Sequence, residues 1–457
     1  MTAFRYLGYR LVPRERRLVC DYGVEDGSDT WRFREEFRFP GHSVAASWAT
    51  PEVAAAARLV FLLAGVSYYK TKAPPLIDLG ETALTDAERE FLRSYYLDGL
   101  GEFAYRNALD LSGLRITGPV QPRRAAAGYD AVPGRPLIPF GGGVDSITTV
   151  ELITGRAEDA ALFVVNRPED RFEAIERPAG ITGLPVVRAE RIIDDQVLRS
   201  AALGFRNGHV PVTGILSAAA VMAAVLDRRD AVVMSNEWSS SVGTIVVDGR
   251  SINHQYSKSL EFEAGLREFV RGSIGGGLEY FSALRPFTEL WIAQRFAGLT
   301  RYFDTFRSCN RAFHIDPAKR FSQWCGACDK CCFIDLILAP FLDPSTLDRI
   351  FGGREPLMHP GAHFPGDTSR VTNAERIDVL VGLSGGSKPW ECVGDVTECQ
   401  AAALLSAARP DRAGNRTLHE LAAQLRLRGI EPAVDALLRP LGKHFIPRRY
   451  AIDALLV

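Results

Sequence analysis

Two groups of residues in this chain have types and spacings suited to chemistry. Five of the eight cysteines lie between positions 309 and 332, and Cys309, Cys325, Cys328 and Cys331 supply four thiolates with two short Cys-x-x-Cys steps. Four thiolates suit tetrahedral Zn²⁺, and a complete protein ligand set makes such a zinc structural. The same set suits an iron–sulfur cluster, the lesser expectation. Such crowding in a long chain argues for metal over disulfides. Cys332 neighbours a ligand and points elsewhere on most backbones, although it could replace Cys331. The second group is Phe140-Gly141-Gly142-Gly143-Val144-Asp145-Ser146, where an apolar run hands over to a helical pattern. Three glycines let backbone amides turn toward an anion, and the helix N-terminus adds unsatisfied N–H groups and partial positive charge. A tight strand-to-helix turn would use the same glycines. No Lys stands where Walker A needs one, and Ser146 occupies the sixth position where the dinucleotide fingerprint needs Gly.

These groups require elements to position them. The 457 residues are 46% hydrophobic and 24% charged, an ordinary globular composition that excludes disordered, collagen-like and coiled-coil chains. With 54 Lys plus Arg against 55 Asp plus Glu, no global field draws the chain onto duplex nucleic acid, and no nucleic-acid partner is expected. The first twenty residues contain no continuous apolar core and do not read as a secretory signal. The near-apolar run 210–226 reads as a buried helix and not a membrane span, so a cytoplasmic protein is expected.

Alternating stretches such as LVCDYGV and WRFREEFRF predict antiparallel strands with one wet face, followed by a helix over 51–66 with Thr50 as cap and Pro51 at its first position. Phe103 and Tyr105 read as core or interface packing. The small, Gly- and Pro-containing stretch 125–135 reads as a linker. Beyond it, short apolar strands (137–140, 160–165, 184–188, 231–234) alternate with helical patterns, which predicts a parallel sheet covered on both faces. Three regions follow: an α+β N-terminal domain over 1–130 that binds substrate, an α/β nucleotide domain over 131–345 and a mostly helical region over 346–457. Ser235, Asn236 and Glu237 follow a predicted parallel strand, where ligands sit in such sheets.

The glycine turn resembles the PP-loop of the ATP pyrophosphatase superfamily, Ser-Gly-Gly-x-Asp-Ser, matched by Gly141, Gly142, Gly143, Val144, Asp145 and Ser146. Gly141 replaces the family's leading Ser, and Pro139 is unusual in a central strand. The resemblance implies an adenine nucleotide α-hydrolase-like fold, ATP held by its β- and γ-phosphates, Mg²⁺ across them, and a substrate oxygen attacking the α-phosphorus. A PP-loop followed by Cys and Cys-Gly-x-Cys-x-x-Cys also resembles the preQ0-forming synthetases, which activate a carboxylate; an adenylating amidase or synthetase is the alternative reading.

Further stretches resemble the ATP-dependent UDP-N-acetylmuramoyl-L-alanyl-L-glutamate epimerases: Leu63-Ala64-Gly65-Val66-Ser67-Tyr68-Tyr69-Lys70, Gly101-Glu102-Phe103-Ala104-Tyr105-Arg106-Asn107, Ser235-Asn236-Glu237, Gln255-Tyr256-Ser257-Lys258-Ser259 and Lys388-Pro389-Trp390-Glu391-Cys392-Val393-Gly394. This resemblance implies inversion of a terminal L-glutamate in a nucleotide-linked muramoyl dipeptide, with ATP cleaved to AMP and pyrophosphate. A carboxylate opposes removal of its own α-proton; adenylation removes that charge and makes the group an electron sink. Lys388, Glu391 and Cys392, after Gly385-Gly386, are then candidates for proton transfer. Cys399 follows seven residues on, and thiols can act as paired bases when their pKa values are tuned. His254, beside Tyr256, and His314 are runner-up bases. The turn Ser384-Gly385-Gly386-Ser387-Lys388 could instead bind a diphosphate. Lys70, Arg106 and Lys258, with Tyr256, are candidate anchors for the substrate's anionic groups.

Overall fold

The computed structural model describes residues 2–41, 48–122, 126–247, 249–364, 370–384, 388–452 and 455. It is an α/β structure with twelve strands among the described residues: β1 (Ala3–Val12), β2 (Arg17–Asp26), β3 (Asp29–Arg38), β4 (Leu76–Asp78), β5 (Arg115–Thr117), β6 (Val132–Pro139), β7 (Ala161–Asn166), β8 (Val186–Ile192), β9 (Arg229–Met234), β10 (Ile245–Val247), β11 (Arg250–Ile252) and β12 (Glu279–Ser282). Ten form one sheet in the order β12-β9-β6-β7-β8-β3-β2-β1-β4-β5, while β10 and β11 make a separate hairpin.

The strands β12, β9, β6, β7 and β8 run parallel, as their apolar runs and intervening helices predict. The stretches LVCDYGV and WRFREEFRF lie on β2 and β3, which pair antiparallel along their whole length. The sheet is continuous across position 130, because β3 pairs antiparallel with β8 through Glu36↔Ile192, Phe37↔Arg191 and Arg38↔Glu190. Beyond the β3-β2-β1 meander, β4 and β5 add in parallel to β1. Pro139 is the last residue of β6, where its missing N–H interrupts little of the ladder.

Period-two alternation sends successive strand residues to opposite faces, and here it feeds two cores. Ile138, Leu162, Val164, Ala231, Val233 and Phe281 point to a core shared with the helices Asp329–Leu338 and Val396–Ala407. Leu137, Ala161, Phe163, Val232, Met234 and Tyr280 point to the other, shared with Pro51–Ala64 and Val212–Leu226. Thr50 caps the first of these helices by accepting from the Val53 N–H at 3.4 Å. The continuation Pro51–Tyr69 is long and apolar enough to cross a membrane, but 78% of its apolar window is buried inside the fold. C-terminal to 345 the described residues form helices and loops, among them Asn373–Leu380, Val396–Ala407 and Arg416–Leu427.

At the seam between β3 and β8, Arg191 donates to the Glu35 carboxylate at 2.5 Å, with Glu35 fully buried. Arg191 also donates to Ser67 Oγ at 3.0 Å. Removing one member of a buried ion pair strands the other charge in a low-dielectric interior. Glu35→Ala is expected to lower unfolding free energy by about 3–5 kcal/mol in urea denaturation, and a loss below about 1 kcal/mol would show that the seam does not depend on this pair.

Candidate active site

The glycine turn closes the C-terminal end of β6. A Cβ on Gly142, whose φ is +74°, would stand 2.3 Å from the Ala174 carbonyl oxygen; one on Gly143 would stand 2.8 Å from Ser308 Oγ. Gly142 needs glycine for its left-handed φ and its approach to backbone, whereas the atom facing Gly143 is a side-chain hydroxyl that can turn aside. A Cβ on Gly141 would meet nothing within 4 Å, so the space above the turn is open. The helix Val144–Thr154 follows directly, and the Ser146 hydroxyl donates back to the Gly143 carbonyl at 3.2 Å.

Asp145 meets Glu237 and Glu289, with one oxygen from each within 4.8 Å of the others. Glu237 precedes the turn Trp238–Ser241 after β9; Glu289 opens the helix Glu289–Phe296, capped by Thr288. Burial, then the charge of Glu237, pushes Asp145 up to about 6, and burial with the charge of Asp145 pushes Glu289 well above the carboxylate range. Three crowded carboxylates oppose one another's ionisation unless a cation stands among them, and their hard oxygens suit Mg²⁺. Ser235 Oγ is buried without a hydrogen-bond partner, and Asn236 is buried beside it.

Four thiols converge as well. The sulfurs of Cys309, Cys325, Cys328 and Cys331 all lie within 4.8 Å of one another, with Cys325–Cys331 at 3.6 Å and Cys328–Cys331 at 3.5 Å. Tetrahedral Zn–S bonds of about 2.3 Å place sulfurs about 3.8 Å apart, so the set fits zinc. Cys332 turns away to Asn373 Oδ1 at 3.4 Å. Between the thiols, Lys330 donates to the Cys392 carbonyl.

Cys392 therefore sits near both centres. Burial would push its thiol up, but the charges of Lys258 and Lys330 and a hydrogen bond from His254 outweigh burial and bring it down to about 6. Burial would lower His254, yet its hydrogen bonds to Cys392 and Glu102 raise it to about 9. The charges of Cys392, Glu237 and Asp145 likewise raise Lys258 against the effect of burial. His254 Nδ1 lies 2.5 Å from Glu102 Oε2. The His209 ring lies against His254 with centroids 4.3 Å apart, and burial with the His254 charge brings His209 down to about 4.

The candidate anchors divide. Lys70 donates to Asn207 Oδ1 at 2.7 Å and to the Gly208 carbonyl at 3.2 Å, beside His209, and burial lowers it to about 8. Arg106 pairs with Glu102 at 2.6 Å and lies over the Trp390 ring. Tyr256, only two residues from Lys258, faces a different space: a cavity of about 900 Å³ whose walls include Arg58, Glu88 and Phe91 but none of Asp145, Lys258 or Cys392. Glu391 is raised by burial and hydrogen-bonded by Asn310. Lys388 acts electrostatically on Cys399, which is buried in the core helix Val396–Ala407. His314 Nδ1 accepts from the Asp316 N–H at 3.0 Å and so closes a turn. Gly385, Gly386 and Ser387 lie outside the described residues.

Sequence reasoning singled out none of Glu102, His209, Glu289 and Lys330. Glu102 lay inside a quoted stretch and Lys330 inside the cysteine motif, which were the available signals; Glu289 and His209 carried none.

Fold and site together are those of an α/β enzyme with its polar groups gathered beyond the strand ends. Residues 1–283 match the family model described as MurL N-terminal domain and residues 305–433 the MurL C-terminal domain. The chain is 35% identical over 453 residues to the UDP-N-acetyl-alpha-D-muramoyl-L-alanyl-L-glutamate epimerase of Xanthomonas oryzae pv. oryzae, covering 98% of this chain and 95% of the relative. Proteins of the same name from Salinispora tropica and a Micromonospora species are 37% and 36% identical, covering 100% and 99% of this chain and 96% and 97% of theirs. No solved structure matches. The chain belongs to the UDP-N-acetyl-alpha-D-muramoyl-L-alanyl-L-glutamate epimerase family.

The glycine geometry separates two neighbouring substitutions. Gly142→Ala is expected to cost about 2 kcal/mol or more, from its left-handed φ and backbone clash. Gly141→Ala is expected to stay within about 0.5 kcal/mol of the parent. Equal urea midpoints for the two variants would contradict this geometry.

Proposed function

We propose that this chain inverts the terminal L-glutamate of UDP-N-acetylmuramoyl-L-alanyl-L-glutamate to D-glutamate, supplying peptidoglycan precursors in the cytoplasm, with ATP cleaved to AMP and pyrophosphate. Full-length similarity to three relatives bearing that name supports the reaction. The observation that carries the mechanism is the position of Lys258, whose charge acts on Cys392, Glu237 and Asp145 alike, so it links a thiolate to the carboxylates of the glycine turn.

In this reading the turn Gly141–Ser146 is a PP-loop, where the open space over Gly141 takes phosphate oxygens against backbone amides. Asp145 and Glu237, with Glu289, would hold Mg²⁺, which supplies charge neutralisation for the departing pyrophosphate; Ser235 and Asn236 border the same space. The glutamate carboxylate attacks the α-phosphorus, pyrophosphate leaves, and the acyl-adenylate forms. The α-proton then passes to Cys392 Sγ, and the electron pair of the C–H bond delocalises onto the acyl oxygen, where cationic donors stabilise it. In this reading Lys258 takes that role, and Lys70 and Arg106 meet the substrate's anionic groups. Return of a proton to the opposite face, then hydrolysis, gives the epimer and AMP. The four-cysteine site would hold structural Zn²⁺ and fix the segment carrying Lys330.

Incubation with ATP, Mg²⁺ and the L-glutamate substrate in D₂O is expected to give AMP, pyrophosphate and D-glutamate deuterated at the α-carbon. Asp145→Ala is expected to lower AMP formation at least a hundredfold, and Cys392→Ala to remove α-deuterium. D-glutamate formed without AMP would overturn the adenylation reading. Cys328→Ser is expected to lose bound zinc by elemental analysis, and full zinc content in that variant would overturn the zinc assignment.

A further inference from the structure

We propose that Glu102 is a positioning residue of the epimerisation site: it grips His254 directly and, through its short helix, steadies the 390–392 segment, so that the Cys392 thiolate stays at the proton-transfer position. The proposal rests on the reading of Cys392 as a proton acceptor.

Glu102 lies on the helix Gly101–Arg106, far in sequence from Cys392, and is 5% exposed. One carboxylate oxygen meets His254 Nδ1 at 2.5 Å and the other accepts from Arg106 Nε at 2.6 Å. From the same helix, Tyr105 stacks on Trp390 with ring centroids 5.5 Å apart, and Arg106 lies over that ring at 5.4 Å. Trp390 is two residues from Cys392, and His254 stands close enough to Cys392 for each to shift the other's protonation. One turn of helix thus holds both members of the thiol–imidazole pair.

His209 Nδ1, 3.8 Å from Glu102 Oε2, completes a cluster that could be taken for a metal site. Tetrahedral ligands about 2.0–2.1 Å from one ion stand about 3.3 Å apart, so the 2.5 Å contact is a shared proton and not a shared cation. A buried carboxylate on an imidazole fixes the ring's orientation and stabilises its protonated form. His254 then keeps its proton throughout, while only Cys392 Sγ takes up the α-proton.

The charged and titratable groups facing this pair are known. Lys258, Lys330 and His254 face Cys392; Glu102, Cys392 and His209 face His254, and Glu391 interacts with it. Removing the Glu102 charge lets His254 lose its proton at lower pH, which withdraws a positive neighbour from Cys392 and raises the pH at which the thiolate forms.

The test is the pH dependence of iodoacetamide alkylation at Cys392 in the full-length protein, followed by mass spectrometry of the modified peptide. The parent is expected to show a midpoint near pH 6. Glu102→Gln, which keeps the shape, is expected to move it up by about one unit, slowing alkylation about threefold at pH 6.5, with the acid limb of the epimerisation pH profile moving in parallel. His254→Asn cuts the same link and is read in the same assay should Glu102→Gln fail to fold. The double variant is expected to shift no further than the larger single shift, since both act through one path. An unshifted midpoint in Glu102→Gln, or additive shifts, overturns the proposal alone. Retained α-deuteration in Cys392→Ala overturns instead the reading beneath it.

Discussion

The buried ion pair between Arg285 and Glu263 is the constraint on which the site depends. Arg285 is 2% exposed and Glu263 1%, and Arg285 Nε donates to Glu263 at 2.9 Å. The guanidinium also donates to the carbonyls of Glu237 and Lys258 and to Ser240 Oγ. Glu263 accepts from the Ser282 N–H at 2.9 Å, at the end of β12. A planar fork with five donors can satisfy several carbonyls at fixed angles, which a lysine cannot. The segments bearing Glu237 and Lys258 are thereby held at one separation, with the carboxylate and the ammonium facing each other. Their own side chains could not set that distance, because like and unlike charges crowded in a buried space would otherwise rearrange or neutralise.

The two-sided sheet explains why distant segments can share this space. Alternate residues of β6, β7, β9 and β12 pack on Pro51–Ala64 and Val212–Leu226 on one face and on Asp329–Leu338 and Val396–Ala407 on the other. Loops leaving the strand ends meet at the rim, where the short helix at 101–106 reaches over to the loop at 390–392. The electrostatics follow from this meeting. Each of Asp145, Cys392 and Lys258 is half-buried, and each would be driven toward its neutral form alone; together they hold charge on the thiol and the ammonium.

Much of the frame was legible because it obeys simple periodicity. Apolar runs marked the parallel strands, strict alternation marked β2 and β3, and Thr50-Pro51 marked a helix start. The cysteine spacing brought four sulfurs together, and Gly142, at positive φ, has no room for a Cβ against the backbone. The continuity of the sheet was not legible, since the pairing of β3 with β8 joins residues far apart through a register no local pattern encodes. Cys392 with His254 and Lys258 was visible only as separate candidates. Glu102, Glu289 and His209 were hidden for the same reason: a buried charge is recognised by its partners, which are brought to it by tertiary contacts. Tyr256 illustrates the converse, because adjacency to Lys258 in sequence placed it in a different cavity.

The rim contact between the 101–106 helix and the 390–392 loop has a consequence for biosynthesis. During translation, Glu102 and Arg106 leave the ribosome on the order of tens of seconds before Trp390 and Cys392 do. In that interval the helix lacks the Trp390 ring it stacks upon, and His254 lacks the Cys392 thiol beside it. The nascent chain therefore completes this contact only near the end of its synthesis, after every strand of the sheet has been made. Only the closing third of the polypeptide brings the 390–392 loop to the helix that receives it.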